Sequence, residues 1–200
     1  MKRIVVLISN KGSGTNLQAI IDGIESGQIN AQVAAVISDT EEALGLQPAK
    51  KHHLPIEICP QKENLPFLLK NLNPDYICLA GWKQIIEDAV IDTFPNRILN
   101  THPGLIPNTL HGSVKNPDST VGLWNKGKMT EKAIQNFFDN KATYAGCTNH
   151  FLSCEFDFGP VLGRCFEKIL PKDSVESLYG RLKKKENALY VKVLHKLCKS

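Results

Sequence analysis

Asn100-Thr101-His102-Pro103 holds the residue types that acyl transfer needs. A strand is predicted at 98–100, opened by Ile98 and Leu99, and side chains alternate along a strand, so Asn100 and His102 point the same way. That sets a neutral amide donor beside a titratable imidazole. A tetrahedral intermediate carries negative charge on the former carbonyl oxygen, which a fixed amide and a protonated imidazole can stabilise. A histidine near its reference pKa of about 6.5 also gives and recovers a proton at neutral pH. Taken alone, His102 is equally readable as a histidine hydrogen-bonded in a loop.

A second group, residues 9–16 (Ser9-Asn10-Lys11-Gly12-Ser13-Gly14-Thr15-Asn16), joins a predicted strand to a predicted helix, and Thr15 with Gln18 fits a capping box. Gly12 and Gly14 let the backbone approach an anion, and the helix N-terminus attracts its charge. The hydroxyls of Ser13 and Thr15 add donors. The spacing is neither a Walker loop nor GxGxxG, which disfavours nucleoside triphosphates and dinucleotides. A third group is the turn at 154–160, where Asp157 sits between Phe156 and Phe158. Those apolar neighbours suggest partial burial, and an ionised carboxylate near His102 would favour the charged imidazole. Of the other histidines, His150 reads as structural. His52 and His53 close a basic helix, His111 lies in a polar stretch and His195 on a lysine-rich helix. With no Cys or carboxylate partner at metal spacing, no metal site is expected.

The elements that must position these groups alternate. Strands are predicted at 3–8, 33–38, 56–59, 76–79 and 98–100, with helices at 16–24, 42–53, 67–72 and 86–94 between them. The fold class is therefore α/β, a mainly parallel central sheet with helices on both faces, Rossmann-like in organisation. Open sheets of this kind bind ligands at the carboxyl ends of their strands. After Pro107 the alternation stops. Residues 108–128 form a polar excursion with Gly112, Pro117, Gly122 and Gly127. A helix at 130–138, strands at 145–152 and 161–169, which an antiparallel arrangement would suit, and a helix from about Ser174 complete the chain. One domain over 1–200, carrying the excursion as an insert, is the expectation for 200 residues.

Composition narrows the function classes. With 42% hydrophobic and 22% charged residues, the chain has the balance of a soluble globular protein. The net charge of +4 comes mostly from Arg181, Lys183, Lys184, Lys185, Lys192, Lys196 and Lys199, which read as a solvated helix face or else a site for phosphate or another anion, and are weak evidence for nucleic acid. Six cysteines stand singly, so free thiols are expected. No apolar stretch approaches the roughly 18 residues of a membrane span, and no signal pattern opens the chain, so a cytoplasmic protein is expected.

Together these segments resemble the glycinamide ribonucleotide transformylase family of folate-dependent formyltransferases, from residue 1 to about 195. Ile4-Val5-Val6-Leu7-Ile8-Ser9 with Gly14-Thr15-Asn16-Leu17-Gln18 looks like the family's first strand and phosphate loop. Leu79-Ala80-Gly81-Trp82 resembles its Leu-Ala-Gly-aromatic segment. Residues 100–107 are similar to its Asn-x-His-Pro-Ser-Leu-Leu-Pro signature, with Gly104 in place of serine. The resemblance implies the formyltransferase fold, 10-formyltetrahydrofolate as co-substrate without a metal, and glycinamide ribonucleotide as acceptor. It implies that Asn100 and His102 contact the formyl group, and that Asp157 supports the charged imidazole. Gly12, Ser13, Gly14, Thr15 and Asn16 would hold the nucleotide phosphate, with Lys183 and Glu186 from the last helix. Lys62, Trp82, Lys83, Gln84, Ile85, Ile86 and Asn100 would form the folate site.

This chain departs from the family at Lys83-Gln84, where Met-Arg is usual, at Phe158, where glycine is usual, and in the length of its excursion. Methionyl-tRNA formyltransferases, sugar-nucleotide N-formyltransferases and formyltetrahydrofolate deformylases share the His-Pro signature but carry an extra domain. Another phosphorylated amine as acceptor, or a nucleotide- or folate-binding protein without turnover, are the competing readings. No nucleic acid or membrane partner is expected.

Overall fold

In the computed structural model, which describes residues 1–10 and 12–199, the continuous apolar run of β1 (Lys2–Ile8) is buried along its length. That is what a strand covered on both faces requires. Lys11 of the predicted glycine turn lies outside the described residues. β1 pairs in parallel with β2 (Ala31–Ser38) and with β4 (Tyr76–Leu79). β3 (Ile56–Ile58) extends the sheet beyond β2, and β5 (Ile98–His102) pairs with β4, both in parallel. β6 (Tyr144–Phe151) and β7 (Val161–Lys168) form an antiparallel pair. The full order is β3-β2-β1-β4-β5-β6-β7, the mixed, mostly parallel α/β sheet expected from the sequence, with helices around it.

The chain divides into two compact units, residues 1–100 with 190–200, and residues 101–189. In the first, α1 (Thr15–Glu25) buries Leu17, Ile20 and Ile21 at helical spacing. Gly23 on the same helix leaves room for Ile29, whose side chain would lie 2.7 Å from an added Cβ. α3 (Leu65–Leu72) ends at Asn73, which takes the left-handed conformation that asparagine tolerates. α4 (Asp88–Thr93) follows β4. The fully buried Tyr190 directs its hydroxyl to the carbonyls of Leu79 and Leu99 at 3.3 Å each, tying the ends of β4 and β5. In the second unit, α5 (Thr130–Asp139) and the part of α6 (Val175–Leu197) up to residue 189 pack Ile134, Phe137, Leu178 and Leu182 with Ala145 of β6.

Two local expectations are corrected. The helix predicted at 42–53 shrinks to a 3-10 turn at Leu44–Leu46 and a short α2 (Gln47–Lys51), because Pro48 is compatible only with the first turn of a helix. The capping box at Thr15 and Gln18 is absent. Gly14, at φ +76°, takes the cap position without a side-chain bond, and Gln18 Nε2 turns instead to Asp22 at 2.7 Å. The left-handed cap lets the backbone pass Gly45, whose carbonyl oxygen would stand 2.9 Å from a Cβ at residue 14.

Candidate active site

β5 runs two residues further than predicted and ends on His102, whose side chain is 2% exposed. The strand's apolar start, Ile98 and Leu99, anchors it, and Pro103 stops the ladder because it offers no amide. The ring nitrogens of His102 face two acceptors. Nε2 donates to the carbonyl oxygen of Trp124 at 2.7 Å, and Nδ1 stands 3.5 Å from Asp157 Oδ1. A carbonyl can only accept, so Nε2 is the donor in that contact, and Nδ1 is left facing the carboxylate.

Asp157 lies in the β6–β7 turn at φ +51°, a left-handed conformation that Asp and Asn adopt more readily than other side chains. Its other oxygen, Oδ2, accepts the Gly127 amide at 2.7 Å, and its main-chain oxygen accepts Trp124 Nε1 at 3.0 Å. Burial, the largest single influence, pushes the Asp157 carboxyl up. The contact with His102 and the Gly127 amide outweigh it and hold the group below the ordinary aspartate value. The expectation of a partly buried Asp157 beside His102 is thus met in geometry.

Trp124, Asn125 and Gly127 come from the excursion, and the sequence reading did not assign them. The segment is ordered by its own pairing. Gly122 N donates to Val114 O, Leu105 N to Leu123 O, and Asn125 Nδ2 to Pro103 O. Lys126 lies over the Trp124 ring at 5.2 Å and pairs with Glu155 at 2.6 Å, while Phe158 packs against that indole at 5.8 Å. The one readable hint was the Asn-Lys-Gly turn residues, and Asn125 and Gly127 indeed take positive φ. The loop after His102 is fixed from β6 and β7. Thr148 Oγ1 donates to Gly104 O at 2.7 Å and accepts Ile106 N at 3.0 Å, and Arg164 Nε donates to Ile106 O at 2.8 Å.

His150 is buried nearby on β6, with Nδ1 donating to Phe151 O at 2.9 Å. Burial, followed by the neighbouring His102, lowers its pKa to about 4, while Asp157 partly opposes the shift. The unfolded chain would take up a proton near pH 6.5 that the folded chain refuses until about pH 4. This contribution is therefore whole above about pH 6.5 and is lost as the pH falls, amounting to about 3 kcal/mol across the window. Thermal melts between pH 7 and 4.5 should show the midpoint falling on acidification, and His150→Gln should flatten part of that slope. An unchanged slope in the variant would reject the assignment.

The first unit holds the other candidates. Ser13, Gly14 and Thr15 line an open groove of about 510 Å³ with Gln18, Gln47, Pro48 and Lys51. Gly12 donates its amide to Ser9 O, Asn16 is buried, and Ser13 and Thr15 hydroxyls lie 3.4 Å apart. Lys83 N donates to Ser9 Oγ at 2.9 Å, which ties the 81–87 segment to the end of β1. Trp82 Nε1 and Gln84 Oε1 are buried there with no hydrogen-bond partner among the described residues, Ile86 is buried and Ile85 exposed. Lys62 pairs with Glu87 at 3.1 Å. Asn100 ends this unit, two residues before His102 on β5 and hence on the same side of the strand. Lys183 and Glu186 belong to the second unit, where they pair with each other at 2.6 Å. Much of the basic run is matched, since Arg181 bonds Asp173 and Glu167, and Lys185 bonds Glu167. Among the described residues no cluster could hold a metal ion, and no helix is long and apolar enough to cross a membrane.

The formyl transferase family model matches residues 2–194. The chain belongs to this family. Within the formyl transferases it is 35% identical to the phosphoribosylglycinamide formyltransferase of Haemophilus influenzae, over 97% of this chain and 86% of that one. It is 27% identical to the chloroplastic phosphoribosylglycinamide formyltransferase of Arabidopsis thaliana over 98% of its own length, but spans only 65% of that relative. The crystal structure of glycinamide ribonucleotide transformylase 1 from Symbiobacterium toebii superposes with a TM-score of 0.83 at 33% identity, over 99% of this chain and 88% of the other. The resemblance read from the sequence is therefore borne out at the level of family and fold.

Proposed function

We propose that this chain transfers the formyl group of 10-formyltetrahydrofolate to the amine of glycinamide ribonucleotide, a step of purine biosynthesis. The observation that carries the reading is the buried His102–Asp157 contact at the end of the Asn-x-His-Pro strand. The names of the formyl transferase relatives support the acceptor. The amine attacks the formyl carbon, and Asn100 with charged His102 stabilises the oxyanion. His102 Nε2 must exchange its bond to the Trp124 carbonyl for one to the formyl oxygen. A water held between Asp157 and His102 carries the proton from the attacking ammonium to the folate nitrogen, which leaves as tetrahydrofolate. Asp157, held as a carboxylate, keeps the imidazole charge compensated throughout.

Gly12, Ser13, Gly14, Thr15 and Asn16 bind the nucleotide phosphate through amides and hydroxyls, and Lys183 with Glu186 contribute to the nucleotide. The folate lies on Trp82, Lys83, Gln84, Ile85 and Ile86, with Lys62 toward its acidic tail. The unpartnered Trp82 donor and Gln84 acceptor suit a pterin, which offers both kinds of hydrogen-bonding group. No metal takes part in this scheme, and the reaction is placed in the cytoplasm. The test is formyl transfer followed by release of tetrahydrofolate. Turnover that requires both the formyl-folate and the ribonucleotide is expected. Turnover with a different phosphorylated amine alone would reassign the acceptor, and silence in a folded chain that binds either ligand would make it a binding protein.

A further inference from the structure

Outside the site, the β6–β7 pair brings two cysteines together. Cys147 and Cys165 are direct partners in the antiparallel register, and their sulfurs lie 2.9 Å apart. Both are thiols. Ile169 N donates to Thr143 O, so Thr143 and Ile169 form a hydrogen-bonded pair, and the alternation of the ladder puts Cys147–Cys165 in the same class. Pairs of that class hold their Cα atoms about 5.5 Å apart, inside the range of roughly 4.4–6.8 Å that a disulfide spans. Closing the bond needs no change of register.

We propose that Cys147 and Cys165 are a redox-modification site, a thiol pair that closes reversibly to a cross-strand disulfide by exchange with small disulfides such as oxidised glutathione. The two sulfurs divide the work. Cys147 is 0% exposed, whereas Cys165 is partly exposed and meets the oxidant first. The contact between the two sulfurs lowers the Cys165 pKa against the opposing effect of burial, and the same contact, with burial, raises Cys147, which makes Cys147 the side that keeps its proton. The thiolate therefore forms on the reachable sulfur.

The Cys165 thiolate attacks one sulfur of oxidised glutathione, a mixed disulfide forms, and the first glutathione leaves as a thiolate that is protonated. Cys147 then gives up its proton and attacks the Cys165 sulfur, the protein disulfide forms, and the second glutathione leaves as a thiol. Two protein thiols are oxidised and one small disulfide is reduced, so the exchange balances. The cross-link would close the hairpin whose turn carries Asp157, next to Thr148, which holds the loop after His102.

The experiment uses the reduced full chain, incubated folded with excess oxidised glutathione, alkylated, digested without reductant and read by mass spectrometry. The expected product is a Cys147–Cys165 linked peptide that dithiothreitol removes. In Cys147→Ser, Cys165 should instead retain glutathione as a stable mixed disulfide, and in Cys165→Ser, Cys147 should stay unmodified. The exposed Cys154 serves as the internal control, taking up glutathione singly. Wild type that keeps both thiols alkylatable while Cys154 is glutathionylated overturns the proposal. So does wild type that holds glutathione on Cys165 without forming the link.

Discussion

Formyl transfer by His102→Ala should fall at least about a hundredfold, and by as much as about ten-thousandfold, with the loss in kcat and little change in KM for the acceptor. The ring touches the reacting formyl group in the proposed step, and alanine leaves no hydrogen-bond donor in its place. Asp157→Asn is the sharper companion. Asparagine tolerates the φ of +51° and can still accept the Gly127 amide, so the turn should survive with only the charge gone. Its turnover should drop by about a hundredfold or more. If His102 and Asp157 act as a unit, the double variant should be little worse than His102→Ala alone. Losses that multiply would show two independent roles and would break the proposed pairing.

How far the sequence reached can be traced residue by residue. β5 and the turn before α1 were legible because each is written in a few adjacent residues, an apolar start closed by Pro103 and two glycines before a helical pattern. The partial burial of Asp157 was legible from Phe158, which packs on Trp124, and not from Phe156, which is exposed. The shortened α2 was readable in principle, since Pro48 states where a helix can start. The capping box failed for a tertiary reason, the close passage of Gly14 and Gly45. Trp124 was not legible, and Gly127 only as the end of an Asn-Lys-Gly turn, with nothing to say what it would bond. Their bonds reach His102 and Asp157 across 22 and 30 residues, and the excursion that carries them has no period, because its order comes from single bonds to Leu105, Val114 and Pro103.

That path of the excursion explains why this chain has glycine at 104, where the family signature it resembles has serine. A Cβ on residue 104 would stand 1.8 Å from the Trp124 carbonyl oxygen and 2.6 Å from its carbon. The obstacle is backbone, so no rotamer change relieves it, and either the 104 loop or the segment of the excursion at 124 must move by more than an ångström. Gly104→Ser should therefore destabilise the chain by about 3 kcal/mol or more, lowering the thermal midpoint by roughly 6–12 °C at this size. The displaced carbonyl is the one that accepts from His102 Nε2, and Trp124 also supports Asp157, so a shift of that size should cost about a hundredfold in turnover. Differential scanning calorimetry and the formyl-transfer assay on the same preparation separate the two effects. A Gly104→Ser protein that melts and turns over like wild type would mean that the excursion does not pass over residue 104 in solution, and Trp124 would then lose its place beside His102.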